Sequence, residues 1–223
     1  MPTEFPAKSS AEADLLAVWM KCLPDQPEQG RQVIERYAEP QRRYHDTRHL
    51  AAVLGWIDRL AGDHDLFLVR LAAFFHDAVY ALPPGQVTNE EASARLARRE
   101  LSRAGLEQED MNEVARLVRL TATHAPGARD PEGELLCDAD LAVLAGTPEE
   151  YAGYVAAVTE EYSFLPRETF AAGRFEVLSR LNQRDLFRTA KGRALNDRAR
   201  ANVEAELESL AAELGIVVEG SGP

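Results

Sequence analysis

Three of the chain's five histidines stand in two short segments, His45 and His49 in RYHDTRHL and His76 in FFHDAVY, where His76 is followed at once by Asp77. Two further carboxylates, Asp138 and Asp140, stand in LLCDADLAVLAG. The His-Asp pair closes LAAFFHDAVY, a segment apolar almost all the way round. An unpaired carboxylate buried there either destabilises the fold or shifts its pKa and neutralises, so the pair needs partners. Two imidazoles and two carboxylates converging from three helices form a mixed nitrogen and oxygen shell suited to a divalent transition metal, and one cation would satisfy the whole set. Each histidine taken alone also fits a packed ring bonded to a carbonyl. The set, with its order and its helical contexts, is what points to a metal.

The elements that position these residues are all written in helical period, and no segment reads as a sheet. Helices are predicted over 11–23 and 29–39, separated by the turn LPDQPEQG. The third runs from Thr47 to about Ala61, with Leu50, Val53, Leu54, Ile57 and Leu60 as one apolar stripe; Asp46 or Thr47 is its N-cap, and His49 in its first turn lies at the inner edge, on a line with Val53, Trp56 and Leu60. Residues 65–80 form the central buried helix, ended by His76 and Asp77 and broken by PPGQ. Thr88 with Glu91 makes a capping box for a helix to about Arg103. Another helix covers 108–124, with Val114, Leu117, Val118 and Thr121 inward. After the loop APGARDPEGE, Asp138 and Asp140 stand near the start of the next helix. Thr147, Pro148 and Glu150 announce a helix over 148–162, and 167–182 and 194–214 complete an all-α array. No repeat, low-complexity block or linker divides it, so 1–223 is expected to be a single helical domain, with a frayed tail at 216–223. His64, between two aspartates, reads as a solvated loop residue.

Composition narrows the function. The 45% hydrophobic content is that of a globular protein with a real core. A formal net charge of −12, from 37 acidic and 25 basic residues, repels nucleic acid and anionic membranes. A phosphate-bearing small substrate would then need a local positive feature. Arg42, Arg43 and Arg48 flank the first histidines and can supply it, since a guanidinium fork grips phosphate oxygens in pairs; salt bridges to the excess acids are the alternative. Cys22 and Cys137, far apart, suggest neither a disulfide framework nor a zinc site, and with no apolar stretch near bilayer length and no secretory layout at the N-terminus a reducing cytoplasm is expected. The motifs HExxH, GxSxG, GxxxxGK[ST] and GxGxxG do not occur.

The order His, His-Asp, Asp resembles the HD superfamily of metal-dependent phosphohydrolases. YHDTRHL with AAVLGWIDRL is similar to its first ligand helix, FFHDAVY to the helix that names the family, and CDADLAVLAG to the final aspartate segment. The chain is more similar still to a subgroup of HD phosphohydrolases with RxYH (Arg42–His45), NE with SA (Asn89, Glu90, Ser93, Ala94), TxxH (Thr121–His124), EY (Glu161, Tyr162), GR (Gly173, Arg174) and ARxN (Ala199–Asn202), over about residues 37–205. The resemblance implies an all-α HD-type fold and His49, His76, Asp77 and Asp140 as ligands of a divalent ion (Mn, Fe, Co, Ni, Mg or Zn). It leaves Asp138 as a helix cap or a support to a ligand. His45 is placed near the substrate phosphate or in a second metal site. His124 is placed toward the pocket or in a structural hydrogen bond, and Asn89 and Glu90 in the pocket. The implied reaction is cleavage of a small phosphate ester, such as a nucleotide, by a water that the metal activates. Arg42, Arg43, His45, Arg48 and Asn89 would bind substrate, Asp77 would orient the water, and Glu90 or His124 would serve as acid or base. A nucleotide-sensing module without turnover and a di-iron oxygenase are the alternatives; neither a nucleic-acid polymer nor a membrane is an expected partner.

Overall fold

The computed structural model describes residues 8–62, 65–83 and 85–216, with side chains described from Glu12 onward. His64 and most of the proposed frayed tail lie outside the described residues. Ten α-helices and two short 3-10 turns, and no strand among the described residues, make up the fold: α1 Lys8–Cys22, α2 Pro27–Arg36, α3 Thr47–Leu60, α4 Phe67–Phe75, α5 Asn89–Arg103, α6 Gln108–Leu120, α7 Pro131–Leu141, α8 Pro148–Glu161, α9 Arg167–Asn182 and α10 Asn196–Leu214, with the 3-10 turns at Ala142–Ala145 and Gly192–Leu195. The all-α expectation holds. No helix among the described residues is long and apolar enough to cross a membrane.

The backbone divides into two compact units, Met1–Asp140 and Leu141–Pro223. The division falls inside α7, not in a linker, which is why no shift in composition marks it.

In the first unit α4 is the central helix, packed against α1, α2, α3, α5 and α6. Leu71, Ala72, Ala73, Phe74 and Phe75 are wholly buried, as a helix apolar on every side requires. Trp19 of α1 meets Phe74 and Phe75 edge-on, at centroid distances of 5.2 and 6.0 Å, and its indole N–H donates to Gln26 O. Gly30 lets α2 approach this ring: a β-carbon there would stand 2.5 Å from Trp19 Cδ1. On α3 the predicted stripe of Leu50, Val53, Leu54, Ile57 and Leu60 is buried throughout. Asp46 is its N-cap, accepting from the Arg48 amide.

α1 and α2 each begin two or three residues early, and α2 ends at Arg36 rather than at 39; three further differences have a physical reason in the contacts. α4 stops at Phe75, not Tyr80, because other groups take its last hydrogen-bonding positions. The Ala73 carbonyl lies 2.7 Å from His76 Nδ1, the Phe74 carbonyl accepts from the Tyr37 hydroxyl at 3.0 Å, and the Asp77 amide donates to that hydroxyl's oxygen. Residues 79–81 then run along the start of α5, where Ser93 bonds the N–H and C=O of Val79 and Asn89 bonds those of Ala81. α6 ends at Leu120, and His124 closes the turn that follows at φ +49°.

The third difference is α7, which begins at Pro131, inside the expected loop. Asp130 caps it: its carbonyl accepts from Glu134 N and its carboxylate from Gly133 N and the Arg116 guanidinium. Asp138 is therefore no cap; it lies well inside the helix with 1% of its surface exposed. The capping box expected at α5 is half formed: Thr88 accepts from Glu91 N, but the Glu91 carboxylate pairs with Arg95 and Arg119. At α8 the Thr147–Glu150 box is complete.

In the second unit the GR and ARxN motifs have structural roles. Arg174 pairs with Glu206 at 2.9 Å and donates to the Tyr154 hydroxyl, and Tyr151 donates to the same Glu206 carboxylate. Asn202 donates to the carbonyls of Leu144 and Gly146, and Ala199 is wholly buried.

Candidate metal centre

Four side chains of the first unit converge at the ends of three helices. His49 comes from the first turn of α3, His76 and Asp77 from the turn that ends α4, and Asp140 from the last turn of α7. His49 Nε2 lies 3.1 Å from His76 Nε2 and 3.1 Å from Asp140 Oδ1. His76 Nε2 lies 3.1 Å from Asp77 Oδ2, and the remaining imidazole–carboxylate separations, His49 to Asp77 and His76 to Asp140, are both 3.6 Å. Donor atoms about 2.0–2.2 Å from one ion stand about 3.0–3.5 Å apart in octahedral or tetrahedral geometry; His49, His76 and Asp77 come near that spacing, with donors all within 4.8 Å of one another, and Asp140 stands beside them at the two imidazoles.

The surroundings prepare these donors. The Nδ1 of His76 faces the Ala73 carbonyl at 2.7 Å, so the neutral ring keeps its proton on Nδ1 and turns the Nε2 lone pair to the centre. Both imidazoles are buried, with 6% of His49 and 1% of His76 exposed. Burial opposes protonation of His76, but the Asp77 and Asp140 carboxylates outweigh it and raise its pKa to about 9. Burial likewise opposes ionisation of Asp77, yet the His76 charge and hydrogen bond, with His45 and His49 beyond, hold it well below the usual carboxylate range. Asp140 is also held well below that range: burial is outweighed by His76 and by the bonds to His124 and His49. Two ionised carboxylates and two imidazole nitrogens at hydrogen-bond distance make a cluster that favours positive charge, and a dication would neutralise it.

Around the centre, His124 Nε2 lies 2.8 Å from Asp140 Oδ2, the oxygen turned away from the two imidazoles. His45 sits in the turn before α3, stacked on Tyr80 at 4.3 Å and 5.5 Å from the His49 ring, and Tyr44 lies 4.8 Å from His49. Because α3 starts at Thr47, His45 and His49 do not share a helix face.

Among the residues expected to grip phosphate, Arg42 is placed differently. Arg42 has a fully buried side chain, between the rings of Tyr37 and Tyr80; its Nη1 donates to the carbonyls of His45 and Asp77, and its Nε pairs with Glu39. It thus braces the backbone of the His-Asp turn and presents no fork to a ligand. Arg43 donates to the carbonyls of Pro40 and Arg42, and Arg48 pairs with Asp46 and donates to the Arg43 carbonyl. Asn89 accepts from the N–H of Ala81 and donates to its carbonyl, so it holds the segment after the His-Asp turn. Glu90, half-buried in the first turn of α5, is outside the group of donors within 4.8 Å of one another, which is His49, His76 and Asp77; Asp140 is outside that group too and joins the centre through the two imidazoles, at 3.1 and 3.6 Å. Tyr37 was not foreseen, though it closes the inward line Gly30, Val33, Ile34, Tyr37 of α2, and an aromatic with a polar tip at the end of such a line is a bracing signal.

The family model for the HD domain matches residues 43–142. This segment belongs to the HD superfamily. The match begins one residue after Arg42, ends two residues past Asp140 and contains all four converging side chains. Searches of curated proteins and of solved structures found no significant match. The HD domain here lies almost wholly in the first unit, and His124 and Asn89, which support the centre and its approach, lie inside it as well.

Proposed function

We propose that this HD domain holds one divalent cation through His49, His76, Asp77 and Asp140 and hydrolyses the phosphate ester of a small molecule, with a nucleotide as the substrate class. The observation that carries the reading is the approach of two buried imidazole nitrogens to 3.1 Å with carboxylate oxygens beside them, an arrangement that a divalent cation satisfies. When bound, the cation supplies Lewis acidity, making a water nucleophilic near neutral pH and offsetting charge on the phosphoryl oxygens.

The chain's own residues set the geometry. His76, locked by the Ala73 carbonyl, keeps Nε2 aimed inward. Asp77 stays ionised at neutral pH; with so low a pKa it is a ligand and an acceptor that orients water more than a strong base. Tyr37 and Arg42 hold the backbone of Asp77 from behind. The rings of Tyr44 and His45 flank His49 at the edge of the centre, while Arg43 and Arg48 give this edge of an acidic chain its positive charge. The free thiols of Cys22 and Cys137 suit a reducing cytoplasm.

The test is phosphate release from a panel of nucleoside monophosphates, cyclic nucleotides and sugar phosphates, with manganese, cobalt, nickel, magnesium or zinc added. Release that needs metal and falls to background in Asp77→Ala supports the proposal. Metal and nucleotide binding without release would indicate a sensing module, and oxygen uptake with ferrous iron an oxygenase.

A further inference from the structure

We propose that His124 is a positioning residue for the centre: its Nε2–H donates to Asp140 Oδ2 and thereby fixes which oxygen of that carboxylate faces the imidazoles. The inference rests on the metal-centre reading and adds a residue whose ring meets the centre at Asp140.

Asp140 divides its two oxygens between two tasks. Oδ1 lies 3.1 Å from His49 Nε2 and 3.6 Å from His76 Nε2, and Oδ2 lies 2.8 Å from His124 Nε2. A carboxylate on a single rotatable bond presents either oxygen, or both, unless one is held. A ring nitrogen facing an ionised carboxylate at this distance must carry the proton, so His124 is the Nε2–H tautomer and a donor. With that proton committed to Asp140, the ring is not available as the acid or base for substrate.

The backbone at His124 supports the same role. Its φ of +49° is left-handed, a conformation that residues with a β-carbon rarely adopt. Its N–H donates to Leu120 O, so it is the residue that turns the chain out of α6. Glycine or asparagine would meet that turn with less strain. A histidine there makes sense through its ring, which reaches across from the end of α6 to the last turn of α7, with 18% of the side chain exposed. Strain of this kind held at a ligand's support is a mark of a working position.

The test is cobalt(II) binding to the full chain, followed by calorimetry and by the visible absorption of the ion, in wild type and in His124→Gln, His124→Asn, His124→Ala and Asp140→Ala. Glutamine places an N–H near the position of Nε2, whereas asparagine suits the left-handed turn but is too short to reach Asp140. Loss of a ligand's hydrogen-bonded support weakens metal binding about 10–100-fold, so H124A and H124N should fall by that amount and H124Q should stay within about threefold of wild type. Melting of the metal-free variants shows which of them fold, and H124N supplies the comparison where H124A does not. Wild-type affinity in H124N or H124A would overturn the inference while leaving the centre intact. A loss in H124Q equal to that in H124A, with changed cobalt bands, would overturn it by making His124 a ligand. No cobalt bound by wild type would remove the centre and the inference together.

Discussion

Arg42→Met separates a bracing role for this arginine from phosphate recognition. In the folded protein Nη1 bonds two carbonyls, His45 O at 2.9 Å and Asp77 O at 2.8 Å. Truncation leaves both acceptors without this partner in a buried setting, at about 1–3 kcal/mol each. The stacking of the guanidinium against Tyr37 and Tyr80, at 5.1 and 5.3 Å, adds about 0.5–1 kcal/mol per ring. The ion pair with Glu39, whose side chain is 37% exposed, adds little. Against this, Nη2 is buried without a hydrogen-bond partner, and removing it returns about 1–3 kcal/mol, helped by the apolar fit of methionine. The net loss is about 2–5 kcal/mol, which for a chain of this length lowers Tm by about 4–20 °C. The assay is thermal unfolding followed by far-UV circular dichroism in the presence of a chelator, so that no cation contributes. Arg42→Lys keeps one donor for the carbonyls and should fall between. A Tm for R42M within about 2 °C of wild type, together with a raised KM for phosphate esters, would refute the bracing role and restore the arginine to the substrate.

Gly30→Ala should destabilise the first unit by about 1–3 kcal/mol, since the new methyl meets the wholly buried Trp19 ring at 2.5–2.8 Å; urea unfolding followed by tryptophan fluorescence measures it. Asp130→Asn should lower Tm at pH 7 and progressively less toward pH 3. Burial of Asp130 is outweighed by the Arg116 and Gly133 bonds, which hold its folded pKa below 3.8; its stabilisation is therefore complete above the unfolded pKa and is lost as pH falls through the folded one. A gap between D130N and wild type that stays constant from pH 7 to pH 3 would contradict this.

What was legible in the sequence was mostly local. The α3 stripe, the Thr147–Glu150 box and the helices α9 and α10 rest on spacing and capping within a few residues, and they stand within a residue or two of where that spacing puts them. The start of α7 was legible as well, in Asp130 followed by Pro131, but Gly127 and Gly133 made the stretch read as a loop. Gly133 is there because a β-carbon would meet the Asp130 carboxylate and Leu120, a crowding no local pattern announces. The end of α4 could not be read from its own residues, since it is set by Tyr37, some 40 positions earlier, and by Asn89 and Ser93 beyond it. Arg42 had the right chemistry for phosphate, and only the geometry shows that the His45 and Asp77 carbonyls claim it. Asp138 and Asp140, two apart and about 200° around the helix, cannot face the same way, and the structure turns Asp140 to the histidines.

The most direct test of the centre is the metal content of the full-length protein after equilibrium dialysis against micromolar manganese or cobalt, for wild type and for His49→Ala, His76→Ala, Asp77→Ala and Asp140→Ala. One cation per chain in wild type, with each substitution releasing it while the fold persists by circular dichroism, is the predicted result. Undiminished occupancy in His76→Ala, or a wild type that holds no cation under these conditions, would contradict it.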